Sequence, residues 1–306
     1  MSARVKTGKP SRAASPPRSL GGYGRASRFV WRKLTVVKWE DEWMERLGWL
    51  GQRLVMFTLP NSRALRIEAY QVTRAEAELL VREFGGTVRA ARPLTKRELE
   101  QKPRPPLRVR GKLLVVSSEK GRALAAKRHP KMPVLLIPAT VAFGTGEHAT
   151  TATCLRLLAD AAHELRGREW DALDLGTGSG ILALAARIFG ARKVEATDFD
   201  AIAVRVAKEN AAANKITGVR FARSDLLKWN APRQWPVVLA NVFSTTLIAA
   251  ASRIASAVEH GGRLILSGIL RTQEREVLAA FRKQGCRLKR AVRKGKWVTL
   301  RTRRGK

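Results

Sequence analysis

From Ala172 to Gln284 the chain alternates short apolar runs with amphipathic helical runs, and this alternation restricts the fold more than any other feature. It predicts strands over Ala172–Leu175, Lys193–Thr197, Val219–Ala222, Val237–Ala240 and Arg263–Leu266. Helices are expected over Gly180–Phe189, Ala201–Asn214, Thr246–Val258 and Gln273–Gln284. Strands that alternate with helices pair in parallel, with the crossover helices covering both faces. Two further strands, Cys286–Val292 and Lys296–Arg301, flank the turn residues Arg293, Lys294 and Gly295 and end the pattern in an antiparallel hairpin. The predicted class is α/β: a Rossmann-like, seven-stranded sheet.

A different rhythm precedes it. An apolar run over Phe29–Val37 leads into a helical stretch with Trp39, Trp43, Leu47 and Leu50 on one face. Two strand-like runs follow, Leu54–Leu59 and Ala64–Val72, around Pro60, Asn61 and Ser62. Thr73 and Glu76 form a capping-box signature for a helix ending near Phe84, and Thr87–Ala91 is a last strand. The order β-α-β-β-α-β is that of a small ferredoxin-like α+β domain, here 28–92, with its aromatic residues used mainly as core. Residues 1–27 are too poor in apolar groups to offset ordering entropy and read as a disordered basic tail without a secretory h-region. Its Arg- and Ser-rich composition is also that of a transit peptide. Residues 93–112 read as a basic, Pro-rich linker, helical at most over Lys96–Lys102. The α/β domain then occupies 113–306, beginning with strands Lys112–Ser117 and Val134–Ile137.

The net charge of +34 is unevenly placed. Residues 1–33 carry nine Lys and Arg without an acid, and residues 282–306 carry twelve without an acid. Residues 134–281 carry seventeen against fourteen, so the expected catalytic core is almost neutral. Charge on the tail and the terminal hairpin would steer the chain toward RNA or a ribonucleoprotein, or serve solubility alone. No run of about 18 apolar residues offers a membrane span. Cys154 and Cys286 lie far apart in apolar-periodic segments, and neither they nor the four histidines have metal-site spacing. A cytoplasmic protein with reduced thiols, no metal and a monomeric state is the expectation.

Asp174-Leu-Gly176-Thr-Gly178-Ser-Gly180 lies where a strand turns into a helix. Gly176 and Gly178 let the backbone pass close to a ligand, where a Cβ would clash. A dinucleotide fingerprint requires its third glycine at 181, where Ile181 stands. Asp198 ends the second strand twenty-two residues after Gly176, where an acid accepts hydrogen bonds from both ribose hydroxyls. The competing duty, capping the next helix, is better filled by Asp200. Asp225, after the third strand, is placed to flank an adenine. Upstream, Phe143-Gly-Thr-Gly-Glu-His-Ala-Thr-Thr151 suggests a loop folded over a ligand, with Thr150 and Thr151 able to cap a helix. Asn241 ends the fourth strand, at the carboxyl edge where open α/β sheets bind ligands. Its amide can both donate and accept.

The stretch Ala142–Leu155, together with Asp174–Ile181, the Asp198 strand end and Asn241, resembles the ribosomal protein L11 methyltransferases (PrmA type). The resemblance covers roughly 110–285 and implies S-adenosyl-L-methionine as cofactor and a ribosomal protein as substrate, methylated on lysine side chains or the N-terminal amine. Cofactor contacts carried over by motif fall on Thr151, Gly176, Asp198 and Asn241, beside Gly178 of the same turn. Asn241 would also orient the accepting amine and is the candidate catalytic residue. Val242-Phe243-Ser244 stands where the family usually has Ile-Leu-Ala, and the basic tail and hairpin lie outside its usual pattern. Two other readings fit the same fold: an RNA or small-molecule methyltransferase, and a non-catalytic ribosome- or RNA-binding module. Asn241-Val-Phe lacks the prolines of adenine-N6 sites, and a module would leave the Gly176, Gly178 and Asp198 set without a use.

Overall fold

A computed structural model describes residues 29–47, 50, 53–59, 62–90, 105–138 and 148–305. The expected basic tail 1–27, the helix Lys96–Lys102 and the Phe143–Glu147 part of the glycine-threonine loop lie outside the described residues. The chain divides into two units, Met1–Gln101 and Lys102–Lys306.

The first unit runs β1 (Phe29–Val36), α1 (Glu40–Leu47), β2 (Leu54–Thr58), β3 (Ala64–Val72), α2 (Arg74–Phe84) and β4 (Thr87–Ala90). Its sheet has the order β2-β3-β1-β4, with every pairing antiparallel, which is the ferredoxin-like arrangement. Trp31, Trp43, Leu47, Leu65, Ile67 and Leu80 are all buried in one cluster, so most of the described aromatic residues of this unit serve as core. Trp39 sits in a 3-10 turn before α1 and packs at the edge of that cluster. The capping box forms as expected: Thr73 Oγ1 accepts from the Glu76 amide at 3.2 Å, and Glu76 accepts from the Thr73 amide at 2.8 Å.

The second unit begins with a small sheet of β5 (Leu107–Val109), β6 (Leu113–Val116) and β7 (Val134–Leu136), with α3 (Glu119–Arg128) between the last two. Strand β5 falls inside the stretch expected as a linker, where Arg108 alternates with inward Val109. Helix α3 was not expected: only Ala125 is buried along it, so its sequence has no apolar stripe to read. Ser118 starts it by accepting from the Gly121 amide at 3.1 Å.

Then come α4 (Ala149–Glu164), β8 (Ala172–Leu175), α5 (Ile181–Ile188), β9 (Val194–Asp198), α6 (Ala201–Ala213), β10 (Val219–Arg223) and β11 (Trp235–Asn241). The chain finishes with α7 (Ser244–Ala249), α8 (Ala251–Ser256), β12 (Val258–Leu270), α9 (Glu274–Lys283), β13 (Cys286–Lys294) and β14 (Trp297–Arg304). The main sheet has the order β10-β9-β8-β11-β12-β14-β13. All pairings are parallel up to β12, and β14 is antiparallel to both its neighbours.

Strand β11 explains why the sheet needs cover on both sides. Val237 and Leu239 pack with α4 and α5, while Val238 and Ala240 pack with α7, α8 and α9. An apolar run without polar alternation fits a strand buried on both faces. The helix expected over Thr246–Val258 is instead two short helices joined at Ala250, and the second stops at Ser256 because Val258 is taken into β12 opposite Trp235. The hairpin turn lies at Gly295 and Lys296, because β13 continues through Lys294, two residues beyond its expected end at Val292. Its Gly295 takes a φ of 59°. Phe281 of α9 is among the largest fully buried side chains. Phe281→Ala should cost about 3–5 kcal/mol, read as a lower urea midpoint with an unchanged slope; a change below about 1 kcal/mol would contradict this packing.

Candidate active site

The strand order reverses between β8 and β11, and open α/β sheets bind ligands in the crevice at the carboxyl ends of the strands beside such a switch point. The glycine turn after β8 forms one wall. Gly176, Gly178 and Gly180 have φ of 71°, 55° and 82°, a region that costs other residues roughly 1–2 kcal/mol each. A Cβ on Gly176 would lie 2.3 Å from Val242 Cγ1, so the segment after β11 can approach only because that position is glycine. Gly268 of β12 meets Val242 from its other side, where a Cβ would lie 2.3 Å from the Val242 carbonyl oxygen.

Backbone and carboxylates together fix this turn. The amides of Gly176 and Thr177 both donate to the Thr197 carbonyl, at 2.8 and 2.9 Å. The Gly178 amide donates to Asp198 Oδ2 at 2.8 Å, and the Asp200 amide donates to Asp198 Oδ1 at 3.0 Å. Asp174 accepts from Thr177 Oγ1 at 2.6 Å and from the Ala183 amide at 3.2 Å, all through Oδ2. Its other oxygen, Oδ1, is buried without a hydrogen-bond partner. Burial raises the pKa of Asp198 against the amide donors of Asp200 and Gly178. Burial likewise pushes Asp174 up to about 7, opposed by Thr177 and Ala183 and reinforced by the charge of Asp198.

Asn241 and Thr151 form the other wall. They are 90 residues apart in sequence, yet Asn241 Nδ2 donates to Thr151 Oγ1 at 3.4 Å. Asn241 Oδ1 is buried without a partner. Thr151 lies inside the first turn of α4 and does not cap it: the cap position is His148, without a side-chain cap bond. Thr150 Oγ1 instead bonds the His148 ring at 2.7 Å, and that ring stands edge-on to Trp297 at 4.9 Å. Asp200 caps α6 by accepting from the Ile202 amide at 2.8 Å. Asp225 caps its own turn, accepting from the Leu227 amide at 3.0 Å. Phe199 and Phe243 are exposed at the same carboxyl edge. Cys154 and Cys286 are both free and buried, and burial pushes the Cys154 thiol up to about 12. Among the described residues, no group of His, Cys, Asp and Glu could hold a metal ion.

Thr151, Gly176, Gly178, Asp198 and Asn241 are therefore brought to one crevice. The sequence offered Asp174 and Val242 without a packing or hydrogen-bonding duty for either. The only sequence signal for either was position, one at the head of the glycine turn and one directly after Asn241.

A sheet of this order, with a glycine turn after its first strand and an acid closing its second, is the class I S-adenosylmethionine-dependent methyltransferase fold. Residues 97–305 match the ribosomal protein L11 methyltransferase (PrmA) family, and the chain belongs to that family. A ribosomal protein L11 methyltransferase of Geobacter metallireducens is 44% identical over 162 residues, 52% of this chain and 51% of that protein. One of Rhizobium meliloti is 42% identical over 170 residues, 54% of this chain and 57% of that protein. The chain spans about half the length of the curated relatives it matches. The crystal structure of a ribosomal protein L11 methylase from Lactobacillus delbrueckii subsp. bulgaricus superposes with a TM-score of 0.55 at 24% identity, covering 66% of this chain and all of that one.

The raised Asp174 carboxyl makes stability depend on pH. It keeps its proton to about 7 when folded and releases it near 3.8, the ordinary value of an aspartate, when unfolded. The stability it contributes is complete below that lower value and is lost as pH rises through about 7. Asp174→Asn should gain stability relative to the parent across that window and level off above it, measured by urea unfolding at several pH values. A difference that does not vary with pH would contradict the burial of this acid.

Proposed function

We propose that the chain is an S-adenosylmethionine-dependent protein methyltransferase acting on an amine of a ribosomal protein, a lysine side chain or an N-terminus. The observation that carries this reading is the pairing of Asn241 with Thr151 across the crevice from Asp198. The residues present suit the cofactor. Asp198 closes the strand where ribose hydroxyls would be held, and Asn241 Oδ1 is a buried acceptor awaiting a donor. Thr151, Gly176, Gly178, Asp198 and Asn241 would hold the cofactor, which when bound supplies a methyl group on a sulfonium leaving group.

The work left to the protein is positioning and the exclusion of water. An accepting lysine must be neutral, and its reference pKa is about 10.4. Asn241 Oδ1 would accept one amine hydrogen, turning the nitrogen lone pair toward the donor. Thr151 fixes the amide so that this oxygen, and not the nitrogen, faces the amine. Asp174 and Asp198 are committed to the glycine turn, which leaves Asn241 an orienting group and not a base.

The family name and the relatives' names support a ribosomal protein as substrate. The basic hairpin supports contact with RNA near that substrate, and we read the enzyme as a cytoplasmic monomer. No helix among the described residues is long and apolar enough to cross a membrane.

Asp198→Ala should weaken S-adenosylmethionine binding by roughly 10- to 100-fold in calorimetry, the worth of charge-assisted hydrogen bonds. Asn241→Ala should lower turnover by about 100-fold while changing substrate KM little. Unchanged cofactor affinity in the first variant would sink the pocket assignment. Radiolabelled methyl transfer into ribosomal proteins and RNA from a strain lacking the enzyme should label protein. Label in RNA alone would overturn the choice of substrate.

A further inference from the structure

The hairpin of β13 and β14 concentrates like charge in a way the crevice does not require. Arg263 of β12 pairs with Arg303 of β14, and Arg303 pairs with Arg287 of β13. Residues directly opposite share a face of the sheet, so three guanidinium side chains leave that face in one row. The next row brings Arg301 opposite Arg290. Neighbouring strands lie about 4.8 Å apart, and like charges set directly opposite destabilise a sheet.

Two acids of α4 offset part of this charge. Glu164 accepts from Arg263 at 3.2 Å and also from Arg301. Asp160 accepts from Arg110 at 2.9 Å and from Arg290 at 3.4 Å. Four arginines thus share two carboxylates, and Arg287 and Arg303 have no ion pair among the described residues. Burial, opposed by Glu164 and reinforced by Arg303 and Arg301, holds Arg263 below its ordinary value. An open groove of about 590 Å³ adjoins the row, lined by Arg290 and Arg301 with Arg110, Lys112, His163 and the two acids, while Arg287 and Arg303 lie outside its lining.

The row stands apart from the crevice. Asn241 pairs with Ser267, four residues along β12 from Arg263, or about 13 Å at the rise of a strand. An occupant here would leave the cofactor pocket free.

We infer that this row is a phosphate-binding site for an RNA backbone, with Arg287 and Arg303 as its uncommitted contacts and Arg290 and Arg301 flanking them. Each guanidinium presents a planar fork that suits two phosphate oxygens at once. A row with one arginine per strand fits a polymer that carries one charge on every unit. Acidic patches of proteins offer carboxylates at irregular spacing, and fit it less well. The inference rests on the RNA reading of the hairpin given above and is independent of methyl transfer.

The test is fluorescence anisotropy of the full chain with a labelled RNA of about 20 nucleotides, from about 50 to 200 mM KCl. Arg287→Glu with Arg303→Glu is compared with a control of equal charge change, Lys127→Glu with Arg128→Glu, both exposed on α3. The hairpin pair should bind at least about tenfold more weakly, with a salt slope lower by about 1.4 for two lost phosphates. The control should stay within about twofold, and both should keep S-adenosylmethionine affinity as evidence of folding. Arg287→Gln with Arg303→Gln serves if the Glu pair does not fold. Equal loss in hairpin and control variants would overturn the site while leaving the RNA reading. No saturable RNA binding by the parent chain would overturn both. A poly-glutamate peptide that binds as tightly as RNA, and loses that binding in the hairpin pair, would assign the row to an acidic protein and overturn the inference.

Discussion

Across the gap between two parallel strands, the Gly178 amide donates to Asp198 at 2.8 Å, while the Asp200 amide donates to the other oxygen of the same carboxylate. This one acid therefore ties the turn after β8 to the end of β9. Asp174 ties the same turn to the first residues of α5 through Thr177 and Ala183. Between the two carboxylates, three left-handed glycines hold a shape that no other residue would take without strain. The crevice beside them is a consequence of that shape. Beside the two acids, the turn is held by the paired bonds to the Thr197 carbonyl, the Gly180 amide on the Thr177 carbonyl and Asn210 on the Ser179 carbonyl.

The second wall depends on the first. Val242 can follow Asn241 past the turn only because Gly176 and Gly268 both lack a Cβ where it passes. Beside that passage Asn241 Nδ2 donates to Thr151 Oγ1 and Asn241 Oδ1 has no partner. A buried amide oxygen without a partner costs free energy comparable to a lost hydrogen bond, and Asn241 Oδ1 shares that state with Asp174 Oδ1 at the head of the glycine turn. The family's usual Ile-Leu-Ala is replaced here by Val242-Phe243-Ser244, and Val242 supplies the close packing that this backbone path demands.

What could be read from sequence follows the range of the interaction involved. Asp200 and the Thr73–Glu76 box act within a turn of their own helix, and spacing alone identifies them. The parallel strands of the main sheet and its terminal hairpin were legible from apolar periodicity, because β11 is apolar on both faces and β13 and β14 meet in a short turn. Thr151 could be singled out but not assigned its partner, since Asn241 lies 90 residues away. Its expected capping duty failed because the helix begins two residues earlier, at Ala149. The helix expected over Thr246–Val258 was cut short by a strand pairing that no local propensity encodes. Helix α3 stayed hidden for the opposite reason: nearly all of its side chains face solvent.

The central claim is that this crevice takes a methyl donor and not a dinucleotide, a distinction that rests on Ile181 in place of a third glycine and on the Asn241–Thr151 wall. The most direct measurement is calorimetric titration of the full chain with S-adenosylmethionine and, separately, with NAD. Saturable binding of one S-adenosylmethionine per chain, with no heat from NAD, is the predicted result. Binding of NAD that S-adenosylmethionine fails to displace would contradict it.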